Sequence, residues 1–155
     1  MPLDETIFLT GFPGFIAGRL VERLARAGAR FQLLVQPALV TRAHEDLARV
    51  VAETGASPRH FRLVEGDITR EGLGLSPEDA AAARSEATAL FHLAAVYDLA
   101  VARDVATAVN VEGTRHVNRF AQIVEVGGQA LDHPLHPAIP ETRYLKAFFC
   151  RAVKE

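Results

Sequence analysis

The feature that most constrains this chain is a small-residue turn set between two segments of different period. Thr6-Ile7-Phe8-Leu9-Thr10 is a short apolar, β-branched run, the pattern of a strand buried on both faces. Gly11-Phe12-Pro13-Gly14 breaks it. From Gly14 to about Ala27, Ile16, Leu20, Val21 and Leu24 recur at three- and four-residue spacing, with Arg19, Glu22, Arg23 and Arg26 between them and Gly28 at the stop. That is an amphipathic helix with its C-terminal signal. A strand that turns through glycines straight into a helix points unsatisfied amides and the positive dipole end at the turn, which favours an anion there. Gly11 allows the tight turn, Gly14 lets the helix start come against a phosphate, and Ala17, followed by Gly18, lets helix and sheet pack closely. The spacing Gly-x-x-Gly-x-x-Ala also occurs in ordinary turns. Its context, strand before and helix after, is the one a dinucleotide's pyrophosphate requires.

The alternation continues. Phe31–Val35 is a second buried strand closed by Gln36-Pro37. Thr41 to Glu53 is a helix with Leu47, Val50 and Val51 inward and Gly55 at its end. His60–Glu65 is a third strand, left through Gly66-Asp67-Ile68-Thr69. Ser76-Pro77-Glu78-Asp79 opens a helix that runs to about Ser85, with Ser as N-cap and acids in the first turn. Ala89–Ala95 is a fourth strand, and a helix from about Val101 to Gln122 follows, interrupted near Asn110–Gly113. The expected fold is α/β: a parallel sheet of four to five strands with right-handed crossovers and helices on both faces. Ile123–Val126 is the candidate fifth strand. Gly127-Gly128, Pro134, Pro137 and Pro140 then break the regularity before a short helix near Glu141–Val153.

With 155 residues, one domain is expected. The single cysteine, Cys150, rules out an intrachain disulfide. A net charge of −2 without a run of either sign gives no electrostatic footprint for nucleic acid or an anionic membrane. No apolar run approaches the roughly 18 residues of a membrane span, and the start Met-Pro-Leu-Asp-Glu is acidic where a secretory signal would be basic. A soluble cytoplasmic protein is expected.

Four ordered motifs carry a family resemblance over about residues 5–122. Thr10 to Leu20 resembles the Thr-Gly-x-x-Gly-Phe-Ile-Gly loop of extended short-chain dehydrogenases/reductases, which include sugar-nucleotide epimerases and dehydratases and relatives that reduce acyl thioesters. Gly66-Asp67-Ile68 is similar to the motif whose Asp binds the adenine amino group, and Phe91-His92-Leu93-Ala94-Ala95 to the His-x-Ala-Ala motif lining the cofactor. Asn110-Val111-Glu112-Gly113-Thr114 is similar to the Asn-x-x-Gly-Thr motif whose Asn steadies the sheet. The continuation Ala94-Ala95-Val96-Tyr97-Asp98-Leu99 leans toward the thioester reductases. The resemblance implies a Rossmann unit over residues 1–122. It places Thr10, Gly11, Phe12, Pro13, Gly14, Phe15 and Ile16 at the pyrophosphate, Asp67 and Ile68 at the adenine, and Leu93, Ala94 and Ala95 along the cofactor. At the second strand's end, Gln36 stands where NAD-specific folds carry an acid, and Arg42 follows. A missing carboxylate favours NADP over NAD.

Other polar residues have plainer readings. His92 in its apolar strand reads as a hydrogen-bonded structural histidine, Asn110 as structural, and His116 as a helix surface residue. His133 and His136 beside Asp132 lack a third anchored ligand, so no metal site is expected.

The family's chemistry relies on a Tyr-x-x-x-Lys pair, in which the lysine lowers the tyrosine pKa. Tyr97 is followed four residues later by Val101, and Tyr144 by Phe148, with Lys146 only two away. A spacing of two puts side chains on nearly opposite sides of a helix. No catalytic residue is assigned. Residues 123–155 depart from the family pattern, as a divergent segment rather than a second domain; a shifted frame, an early stop or a short variant would each explain it. An oxidoreductase or epimerase by lineage, catalytically impaired, is the first reading. A non-catalytic dinucleotide-binding or regulatory module, or a truncated product, is the alternative. An exposed sheet edge also allows a homodimer.

Overall fold

The computed structural model describes residues 4–98 and 100–123. Four strands lie side by side, all parallel: β1 (Thr6–Thr10), β2 (Arg30–Val35), β3 (Phe61–Glu65) and β4 (Ala89–His92), in the order β3-β2-β1-β4. In β1, Thr6 lies opposite Arg30 and Thr10 opposite Leu34 of β2; on its other side Ile7 lies opposite Ala89 and Thr10 opposite His92. The chain therefore winds one way from β1 through β2 to β3, then crosses back to the far side of β1. Helices α1 (Phe15–Arg26), α2 (Val40–Thr54) and α3 (Pro77–Glu86) make the crossovers. Beyond β4 come α4 (Arg103–Thr107), a π-helical turn over Ala108–Gly113, and α5 (Thr114–Ile123).

Because strand side chains alternate, the apolar runs supply two cores. Ile7, Leu9, Phe31, Leu33, Val35 and Phe91 meet Ala17, Val21 and Ala25 of α1 and Ala43 and Val50 of α2. On the other face Phe8, Leu34 and Leu90 meet Ala83 of α3 and Val117 and Phe120 of α5, with the Phe8 and Phe120 rings 5.0 Å apart. Gln32 departs from the pattern: it is buried at mid-strand, with its amide nitrogen donating to Glu86 Oε2 at 2.8 Å.

Local signals act as their chemistry dictates. Gly28 takes φ +97° while Ala29 N–H donates to the Leu24 carbonyl at 3.1 Å, a left-handed stop for α1. Ser76 Oγ accepts the Asp79 N–H at 3.0 Å, capping α3. Arg62 ties that helix to β3 through Asp79 at 2.7 Å.

Three expectations change. Ile16 is 64% exposed, because it sits in the first turn of α1 at the mouth of the glycine loop and the inward stripe starts at Ala17. The fourth strand ends at His92 rather than Ala95, because its neighbour β1 ends at Thr10: the Leu93 N–H is shared between the Thr10 carbonyl and hydroxyl, and the Ala94 N–H goes to that hydroxyl. Ile123 ends α5 rather than opening a fifth strand; the rest of that candidate strand, residues 124–126, and the final helix lie outside the described residues. No helix among the described residues is long and apolar enough to cross a membrane.

Candidate functional site

A parallel sheet whose strand order reverses leaves a crevice beyond the C-terminal ends of the two strands flanking the reversal. Here those strands are β1 and β4. Gly11 leaves β1 at φ +96°, and a Cβ at this position would lie 2.7 Å from the Ala94 nitrogen and from the Leu93 carbonyl carbon. Only glycine permits both that backbone angle and that approach. At Gly14 a Cβ would stand 2.6 Å from the Gly11 oxygen, which accepts the Gly14 N–H at 2.7 Å. Ala17 is buried against the sheet, whereas the space beside Gly18 is open, so the third small position is Ala17. Helix α1 has no side chain capping its N-terminus and no acid in its first turn. Its leading amides and dipole end are left to an anion in the crevice, and the residues around them suit a dinucleotide's phosphates.

Beneath this loop runs a chain of hydrogen bonds whose direction can be worked out. The fully buried Thr10 Oγ1 accepts the N–H groups of Leu93 at 3.2 Å and Ala94 at 3.3 Å. Its one proton is left for His92 Nδ1, 2.7 Å away. His92 Nδ1 is then an acceptor, Nε2 carries the hydrogen, and it donates to Thr114 Oγ1 at 3.1 Å. Thr114 in turn donates to the Asn110 carbonyl at 2.8 Å. Burial pushes the imidazole down to about 4, consistent with a neutral ring. His92 is thus the hydrogen-bonded histidine that the sequence suggested. Asn110 holds the Val96 N–H at 2.8 Å with its side-chain oxygen and the Val96 carbonyl at 2.7 Å with its amide nitrogen. It steadies the segment leaving β4 rather than a strand of the sheet.

The expected cofactor residues lie at or beyond the C-terminal ends of the strands. Thr10, Gly11, Gly14, Leu93 and Ala94 gather at the crevice, with Ala95 exposed beside them. Phe12 and Pro13 are buried, Phe12 within the core under α1. Phe15 is 76% exposed, with the Arg19 guanidinium 5.8 Å from its ring centre. Gln36 is exposed at the β2 exit. Arg42 lies in the first turn of α2, mostly solvent-facing and 3.7 Å from Asp46. Asp67 Oδ1 accepts both the N–H and the hydroxyl of Thr69, each at 2.8 Å, while Ile68 is buried against Gly113.

Two contributors escaped the sequence reading. Thr114 links His92 to the π-helical turn; its spacing of four from Asn110, one helical turn, was the available signal. His116, expected on the surface, is half-buried, and its Nδ1 donates to the Ile68 carbonyl at 2.8 Å. The triplet His133, His136 and Asp132 lies outside the described residues, as do Tyr144 and Lys146.

The comparisons with known proteins agree with this geometry. The profile of an NAD-binding family described as male sterility protein matches residues 9–133. The chain belongs to that family. It is similar to CG8306 of Drosophila melanogaster, described as a fatty acyl-CoA reductase, with 29% identity over 134 residues, 78% of this chain and 26% of that protein. Among solved structures, the terminal R domain of the myxalamid PKS-NRPS biosynthetic pathway superposes with TM-score 0.60 at 29% identity, covering 77% of this chain and 33% of that one. A short-chain type dehydrogenase/reductase from Mycobacterium ulcerans superposes with TM-score 0.65 at 20% identity, covering 83% and 49% respectively, a likeness of fold. The chain thus spans a quarter to a half of the proteins it matches. It is a nicotinamide-dinucleotide-binding, reductase-like Rossmann unit corresponding to their N-terminal part.

Proposed function

We propose that the crevice between the β1 and β4 exits holds NADP(H), and that the chain is the cofactor-holding part of a reductase acting on acyl thioesters. The observation that carries this is the uncapped, acid-free N-terminus of α1 behind Gly11 and Gly14 at the point where strand order reverses. The bound nicotinamide supplies or accepts a hydride; the residues described here bind and orient. First-turn amides of α1 meet the pyrophosphate, Asp67 keeps its second carboxylate oxygen for the adenine amino group, and Leu93 to Ala95 flank the cofactor. The absence of an acid at Gln36 and the proximity of the mostly unburied Arg42 favour the 2′-phosphate form. A reductase is favoured over an epimerase by the matched Drosophila melanogaster relatives, which are named as fatty acyl-CoA reductases.

The chain contains no Tyr-x-x-x-Lys pair, so binding is expected without efficient turnover by this chain alone. Calorimetric titration with NADP⁺, NADPH, NAD⁺ and NADH is the test, with the phosphorylated pair expected to bind more tightly. Silence with all four refutes the reading. A following absorbance assay with an acyl thioester separates a slow reductase, which consumes NADPH, from a binding module, which does not.

A further inference from the structure

We propose that a polar cleft at the opposite, N-terminal edge of the sheet is a second binding site, taking a small oxyanion that also carries hydroxyl groups. The cleft, of about 380 Å³, is lined among others by Arg30, Gln32, Arg59, His60, Arg62 and Glu86. It lies below the first residues of β1 and β2, about 16 Å along β1 from the glycine loop at ordinary strand rise, and shares no residue with the dinucleotide crevice.

Its polar groups are incompletely used. Among the described residues, two buried side-chain polar atoms have no hydrogen-bond partner, Gln32 Oε1 and His60 Nδ1, and both belong to residues of this cleft. Buried polar atoms are nearly always paired, so two orphans at one place mark a missing partner. Gln32 is 2% exposed in the middle of β2, between the apolar Phe31 and Leu33. The strand pattern calls for an apolar residue there; the amide nitrogen is taken by Glu86 and the Ala82 carbonyl, while the amide oxygen has no partner.

The charges indicate what the partner is. Arg30 uses Nε on Thr6 Oγ1 and Nη2 on Asp4, leaving Nη1. Arg62 uses Nη2 on Asp79 and Glu78, leaving Nε and Nη1. Arg59 makes no ion pair among the described residues. The one carboxylate of the lining, Glu86, already accepts the Gln32 amide through Oε2. Spare guanidinium N–H groups suit the oxygens of a phosphate or carboxylate. Gln32 Oε1 can only accept, so the same ligand must bring a donor. A hydroxylated oxyanion meets both demands, whereas sulfate, which carries no proton at neutral pH, meets only the first.

The test is calorimetry on the full 155-residue chain with D-ribose 5-phosphate and citrate, and with sulfate and ribose as the oxyanion and the hydroxyl donor taken separately. Ribose 5-phosphate or citrate is expected to bind more tightly than sulfate, and the preferred one identifies the oxyanion as phosphoryl or carboxylate. Arg59→Ala, at an exposed position, should weaken that binding about tenfold or more, the worth of a charge-assisted hydrogen bond, and leave dinucleotide affinity unchanged. Gln32→Leu should abolish the advantage over sulfate. Failure of all four probes to bind overturns the proposal, as does binding indifferent to Arg59→Ala. A Gln32→Leu protein that melts higher and binds ribose 5-phosphate and citrate as before also overturns it, because Oε1 then serves only water. Should Gln32→Leu not fold, the Arg59→Ala arm decides.

Discussion

Acidification should loosen the support of the glycine loop through one residue, His92. Its imidazole is held to about 4 by burial, against an ordinary 6.5. The unfolded chain therefore binds a proton that the folded chain refuses between those values, and stability rises with pH across that window. Stated as loss, the contribution is whole above about pH 6.5 and disappears as pH falls through about 4. The gap corresponds to about 3 kcal/mol once both states are protonated, of which about 2 kcal/mol is lost between about pH 7 and pH 5. The structure gives the reason. A proton on Nδ1 would face the Thr10 oxygen, which already accepts two N–H groups and needs Nδ1 to take its own hydrogen. Urea unfolding at both pH values, for the native chain and for His92→Gln, isolates the term, because carboxylates and the other histidines cancel in the difference. The native chain should lose about 2 kcal/mol more than the variant. Equal losses, or an NMR titration placing His92 near 6.5, would refute the argument. Nitrogen shifts of the ring should independently show the hydrogen on Nε2.

Three further outcomes test the packing around the crevice. Gly11→Ala combines φ +96° with a Cβ 2.7 Å from backbone atoms of β4's exit; backbone cannot step aside as a side chain can, so a loss of roughly 3 kcal/mol or more in chemical unfolding is expected. Gly14→Val should abolish calorimetric binding of NADPH, because its Cβ would stand 2.6 Å from the Gly11 oxygen and force the loop out of shape, and a variant that binds normally shows the loop assignment to be wrong. Ser76→Ala removes the cap of α3 and should lower unfolding free energy by about 1 kcal/mol, with dinucleotide affinity unaltered.

Much of this architecture was legible because the strands are short, apolar and β-branched, and each is separated from its neighbour by a helix with its own start or stop residue. Thr6–Thr10, Gly28, Gly55 and Ser76 all act locally, so a linear reading finds them. What escaped depends on atoms far apart in sequence. The shortened β4 follows from the end of β1 at Thr10, more than eighty residues upstream, whose carbonyl and hydroxyl take the Leu93 amide and whose hydroxyl takes the Ala94 amide. His116 looked like a surface residue because its partner, the Ile68 carbonyl, lies 48 positions away. Ile16 fitted the helical period, but its place in the first turn left it outside the core. For the candidate site, the glycine loop was visible as a pattern; the hydrogen-bond chain beneath it was not, since Thr10, His92 and Thr114 belong to three separate motifs.

The π-helical turn at Ala108–Gly113 sets the phase of everything after it. One residue more than a regular helix would hold is accommodated there, and each residue turns a helix by about 100°. Because the wide turn absorbs that extra residue, α5 keeps the phase that sets Val117 and Phe120 on the sheet. Asn110 sits on the same wide turn, with its side chain on Val96. Removing a residue from α5 ahead of Val117, where no wide turn takes up the change, would instead rotate that face off the sheet.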